Sequence, residues 1–228
     1  AEAMLRMIEM IGEREGIGNL LAEGTMRVAE KVGGEAWRFA VNVKGQELPA
    51  HDPRLKRVLG LGYAVSPTGA DHMHNVHDTW LSSERGIANL RPFGILKPLP
   101  MEDLSSEKVR MLVYGVNLRV LDNCALLCMF APWSPIQKVE IFRAVTGWDT
   151  TLWELAKVGE RAINMARVFN LREGFTERDD WLPDRMFHPQ TSGPLSKTAV
   201  NPKQLRMARR IYYRMMGWDE NTGVPEVG

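Results

Sequence analysis

Residues Ser105 to Phe130 read Ser-Ser-Glu-Lys-Val-Arg-Met-Leu-Val-Tyr-Gly-Val-Asn-Leu-Arg-Val-Leu-Asp-Asn-Cys-Ala-Leu-Leu-Cys-Met-Phe, and their period decides the fold class. Val109, Leu112, Val113, Val116, Val120, Cys124, Leu127 and Cys128 recur at steps of three and four. That spacing puts them on one buried face of an α-helix. Asp103 or Ser105 supplies its N-cap, because a short polar side chain there accepts the first unpaired backbone N–H groups. Both cysteines of the chain fall in the last turns, beside Asp122 and Asn123. Side chains at a helix end can turn toward a ligand.

Helical signals continue on both sides. Ser134-Pro135-Ile136-Gln137 and Thr151-Leu152-Trp153-Glu154 are capping boxes, and Asn201-Pro202 opens a last helix that ends at Gly217. Toward the N-terminus, Met4, Leu5, Ile8 and Ile11 mark a first helix, and Leu20, Leu21, Val28 and Val32 a second over about 19–32. Glu23-Gly24 falls inside the second, where glycine costs ~1 kcal/mol; a close neighbour or a helix-packing glycine both account for it. Between Ala36 and Lys44, Trp37, Phe39, Val41 and Val43 alternate with Arg38, Ala40, Asn42 and Lys44, a strand signal. Pro53 opens the next helix with Asp52 as N-cap or ligand anchor, and residues 85–100 are punctuated by Pro and Gly as a connector. The expected fold is mostly α, two packed helical subdomains (1–92 and 93–228) with a minor strand near 36–44.

Composition narrows the function classes. Among 228 residues, 44% are hydrophobic, 25% are charged, and the net charge is +1. A balanced charge argues against a dedicated nucleic-acid binder. No apolar run approaches the ~20 residues that span a bilayer. Two cysteines make no disulfide framework, so a reduced, cytoplasmic protein is expected. The chain begins inside a helical pattern without Met and ends in a loop, as a piece of a longer polypeptide would. His72, His74 and His77 cluster in one loop, but their spacing without nearby cysteine matches no strong metal signature; a polar, substrate-facing loop and a solvated one are the other readings.

Several blocks, in order, resemble the C-terminal region of the tungsten-containing aldehyde ferredoxin oxidoreductase family. They are Leu21-Ala22-Glu23-Gly24-Thr25, Lys44-Gly45-Gln46-Glu47-Leu48-Pro49-Ala50-His51-Asp52-Pro53-Arg54, Gly60 to His72, Cys128-Met129-Phe130, Arg167 to Gly174, Asp179 to Pro183 and Gly217-Trp218-Asp219. The resemblance implies oxidation of aldehydes to carboxylic acids at tungsten (or molybdenum) held by two pterins. Electrons then pass through a 4Fe–4S cluster to ferredoxin. The implied partners are a small aldehyde, ferredoxin, an N-terminal pterin-binding domain of the same polypeptide, and a second copy in a homodimer.

It also implies site residues. Asp52 matches the first acid of the family's repeated Asp-x-x-Gly-x-Cys pattern, although Leu55 replaces the glycine. In the second copy Asn123 stands for the acid and Leu126 for the glycine, with Asp122 as a neighbouring acid in a shifted register. Cys128 then resembles the fourth cluster ligand, and Cys124 a small packing residue. Glu23 is the implied acid, and His72 or His77 the histidine near the metal. Glu47 matches a family glutamate that is structural or serves a subunit-contact metal. Two other readings share the fold: the tungsten subunit of a class II benzoyl-CoA reductase, and a non-catalytic helical scaffold.

Overall fold

The computed structural model describes residues 1–131 and 133–226. Among the described residues the chain forms ten α-helices and one two-stranded sheet. The first three helices are α1 (Glu2–Glu13), α2 (Ile17–Leu21) and α3 (Thr25–Val32). The single helix expected over 19–32 is broken between α2 and α3. Glu47 accepts the backbone N–H of Thr25 at 2.7 Å, and Gly24 takes φ +86°, a conformation cheap only for glycine.

The minor strand is present but short. Ala36–Phe39 winds into a 3-10 turn, leaving β1 (Asn42–Val43) to pair antiparallel with β2 (Gln46–Glu47), Asn42 opposite Glu47. Lys44 and Gly45 both have positive φ, 52° and 82°, as a two-residue hairpin turn requires. Alternation marks two faces but supplies no partner strand, and only the hairpin residues find one.

Helix α4 (Arg57–Val65) begins later than Pro53. Asp52 caps the preceding turn instead, accepting the Arg54 N–H at 2.8 Å. The first N–H groups of α4 go to a distant carboxylate: Val58 and Leu59 donate to Asp78 at 3.3 and 3.0 Å. Val58 to Val65 are all buried. Gly62 makes this packing feasible, since a Cβ there would stand 2.2 Å from Asn75 Oδ1.

Residues 85–100, expected as an irregular connector, are partly helical. After α5 (Asp78–Leu81), α6 (Glu84–Ile87) runs into a 3-10 segment, Ala88–Phe93. Ile87, Leu90, Phe93 and Ile95 are buried in the core. Apolar burial here outweighs the Pro and Gly punctuation.

Helix α7 (Ser106–Cys124) is the organising element. Ser105 caps it through the Lys108 N–H, and Val109, Leu112, Val113, Val116 and Val120 are buried. It stops at Cys124, and Leu126 adopts φ +56°. Cys124 is therefore exposed rather than packed, and Cys128 lies beyond the helix. The remaining helices are α8 (Pro135–Thr146), α9 (Leu152–Arg172) and α10 (Pro202–Met215). Both capping boxes form, and the Asn201 oxygen accepts from Lys203 and Gln204. Gly159 of α9 sits against α7, its missing Cβ position only 2.0 Å from the Asn117 carbonyl oxygen.

One continuous set of buried side chains runs from Val43 through α4, α7 and α9 to Tyr212 and Trp218. Two buried ionic centres join distant segments. Asp180 pairs with Lys44 and Arg167, each at 2.8 Å, and accepts the Tyr213 hydroxyl. Asp78 pairs with Lys108 at 3.3 Å, and the ammonium also donates to the Leu99 and Pro100 carbonyls.

Candidate functional site

The loop after α4 is wound around Asp71, whose carboxylate accepts the N–H groups of Met73 and His74 at 2.7 and 3.3 Å. Asn75 donates to the Asp71 carbonyl at 2.8 Å. This anchoring brings His72 and His77 together, ring centroids 5.9 Å apart. A third imidazole joins them: His51 lies 5.1 Å from His72 and 4.6 Å from His77. Lys56 Nζ stands 3.2 Å from Nδ1 of both His51 and His77. Trp80 flanks His77 at 5.3 Å and carries the Arg119 guanidinium on its face at 4.8 Å.

The electrostatics favour the neutral forms of His51 and His77. Burial, then the Lys56 charge and the neighbouring imidazoles, push His77 down to about 4. His51 is lowered by burial, Lys56 and His72. Burial also lowers Lys56, against the attraction of Asp78. A neutral imidazole carries one acceptor and one donor nitrogen, so His51 and His77 can each accept one hydrogen bond and donate another. His51 and Lys56 were not among the sequence-predicted site residues. His51 stands inside the recognised Lys44–Arg54 block, but nothing local marks its approach to the distant loop.

At the end of α7, a cavity of about 240 Å³ is lined by Met73, Arg119, Asp122, Asn123, Cys128 and Phe130. It unites three predicted residues with Met73, the neighbour of His72 in the chain. Asp122 is buried and holds Lys138 Nζ at 2.5 and 2.7 Å. Asn123 and Cys128 are exposed. Among the described residues, no group of three His, Cys, Asp or Glu side chains is placed to hold a metal ion. A thiol is the right donor for cluster iron; Cys128 lines the cavity, and Cys124 is exposed outside its lining.

The remaining predicted residues lie apart from these contacts. Asp52 borders a larger cavity of about 1270 Å³ that also includes His51, Arg54 and Gln190. Burial raises the Asp52 carboxyl, but hydrogen bonds from Arg54 and Gln190 outweigh this and hold it below the usual range. Glu47 is spent on the Thr25 N–H. Glu23 pairs with Arg14 at 2.5 Å at the α2–α3 break and makes no hydrogen bond to the histidines among the described residues.

Fold and site define a mostly helical chain whose imidazole cluster and thiol-bearing cavity are adjacent. Residues 1–227 match the family model "Aldehyde ferredoxin oxidoreductase, domains 2 & 3", and the chain belongs to that family. It is 35% identical to the tungsten-containing aldehyde ferredoxin oxidoreductase of Pyrococcus furiosus over 229 aligned residues, 99% of this chain and 35% of the relative. The Thermococcus kodakarensis protein of the same description is 34% identical over 98% of this chain and 35% of its own length. An aliphatic sulfonate oxidoreductase, WOR-like subunit, of Pyrococcus furiosus is 29% identical over 99% of this chain and 33% of its own. The chain thus spans about a third of the length of the curated relatives it matches. Among solved structures, the BamBC active-site complex of benzoyl-coenzyme A reductase is alike in fold, with TM-score 0.61 and 18% identity over 96% of this chain and 36% of that one.

Proposed function

We propose that this chain supplies helical domains of a tungsten (or molybdenum) pterin enzyme that oxidises a small aldehyde to its carboxylic acid. The reaction adds water-derived oxygen and releases two electrons and two protons. When bound, the metal–pterin centre and the 4Fe–4S cluster supply the electron chemistry, and ferredoxin is the proposed acceptor. The protein's own task is to position groups and move protons. The observation that carries the reading is the cavity joining Cys128, Asp122 and Asn123 to Met73, beside His72.

In this reading the Cys128 thiolate binds one iron. The Asn123 amide oxygen accepts a pterin N–H, and Asp52 and Asp122 use lone pairs left free by Arg54 and Lys138. His72 accepts a proton released from the hydrated aldehyde, with neutral His77 beside it. Glu23 is the proposed acid, freed from Arg14 in the complete enzyme. Glu47 is structural or faces a second copy. An N-terminal pterin-binding domain of the same polypeptide completes the site, and the cytoplasm is the proposed location.

The test uses the full-length parent, purified without oxygen and assayed on aldehydes with an artificial electron acceptor. His72→Gln should lower kcat by ~10²–10⁴ with its metal content intact, the usual contribution of a positioned acid–base group. An active, unchanged variant would remove His72 from the reaction. Reduction of aryl-CoA thioesters without aldehyde oxidation would move the protein to the benzoyl-CoA reductase chemistry.

A further inference from the structure

We propose that Lys56 is a positioning residue that locks His51 and His77 as neutral imidazoles protonated at Nε2. The inference rests on the reading that the histidine cluster lies at the reacting aldehyde. An ammonium has three donors and no acceptor. Its nitrogen lies 3.2 Å from Nδ1 of each ring, so both Nδ1 atoms must accept, and the ring proton of each must sit on Nε2. Protonating either Nδ1 would set two donors face to face beside a positive charge. One side chain thereby determines two tautomers.

The surroundings hold Lys56 in this role. It stands immediately before α4, where its own N–H donates to the Asp52 carbonyl at 3.0 Å. From α5, Asp78 attracts it, but that carboxylate is already paired with Lys108 of α7 and bonded to Val58 and Leu59. Asp78 therefore balances Lys56 without capturing it. His72 faces His51 and His77 from the loop, Trp80 closes the side, and Arg119 of α7 lies over Trp80. Among these contacts no carboxylate touches either His51 or His77, and the other hydrogen bond of the His77 ring is with the His72 backbone.

The test is site-resolved exchange of the histidine C2–H in deuterated buffer, followed by mass spectrometry across pH. It is run on the full-length protein and on Lys56→Met and Lys56→Gln. Removing a like charge at this range is worth about one pKa unit or more. The His77 and His51 midpoints should therefore rise by about that much in Lys56→Met. They should rise less in Lys56→Gln, whose amide still donates to one ring. His188 on the surface is the internal control and should keep its exchange profile. Unmoved midpoints in both variants overturn the proposal. The same variants are assayed for aldehyde oxidation against pH: a raised midpoint should carry the acid limb of kcat upward with it. If the midpoints rise and the limb stays, Lys56 positions the rings and their protonation does not govern the reaction.

Discussion

Asp78 and Asp180 have no exposed surface, and each is held by cations from distant parts of the chain. A buried carboxylate is tolerable only when paired, and removing one partner strands the other charge. Asp180→Ala leaves Lys44 and Arg167 without their anion, and should cost ~3–5 kcal/mol in denaturant unfolding. A loss below ~1 kcal/mol, the range of exposed pairs, would mean that these cations find other partners. The histidines predict a pH effect. Burial and Lys56 hold His77 at about 4 in the folded chain, below its ordinary value of 6.5. As pH falls through that window, the unfolded chain takes up the proton first, so stability declines from near 6.5 to about 4. His51 and His74 shift in the same direction. The melting temperature should fall across this window, and His77→Gln should flatten part of the slope; equal slopes would contradict the burial of a neutral imidazole.

Helices α7 and α9 meet through Gly159, whose added methyl would collide with the Asn117 carbonyl. Gly159→Ala should therefore destabilise by ~1–3 kcal/mol, the usual cost of overpacking, although alanine is the better helix former. A stabilised variant would mean that the two helices can separate at no cost. Thr151→Ala removes a formed capping box and should cost ~0.5–2 kcal/mol. These elements were legible because their causes are local: the period of Val109 to Val120, and the side chains of Ser134, Thr151 and Asn201 beside the N–H groups they accept. The break at Gly24 was not legible, because Glu47, which stabilises it, is 22 residues from the Thr25 N–H that it binds. The strand over 36–44 was overread because alternation cannot reveal a missing partner. Cys124 was misplaced for a related reason, since periodicity does not say where Leu126 will turn the chain. Lys56 and His77 are 21 residues apart, and no spacing rule joins them.

The whole molecule packs its own core, yet its thiol-bearing cavity offers a single cysteine, Cys128. A 4Fe–4S cluster takes ~4 cysteine ligands, and this chain has two cysteines in all. These 228 residues expressed alone should be colourless after anaerobic reconstitution with iron and sulfide; a stable cluster absorption would contradict a site completed elsewhere. No described helix is long and apolar enough to cross a membrane. The family, the helical architecture and the order of the blocks were legible in the sequence. The imidazole cluster was only half legible, because His51 enters it from the far side of α4. The most direct test of the central claim is metal analysis of the full-length parent, purified anaerobically, beside its Cys128→Ser variant. The parent should contain tungsten or molybdenum together with ~4 iron atoms per chain, and the variant should lose iron while its fold persists. A parent without tungsten, molybdenum or iron would contradict the account, as would a Cys128→Ser variant with its full iron content.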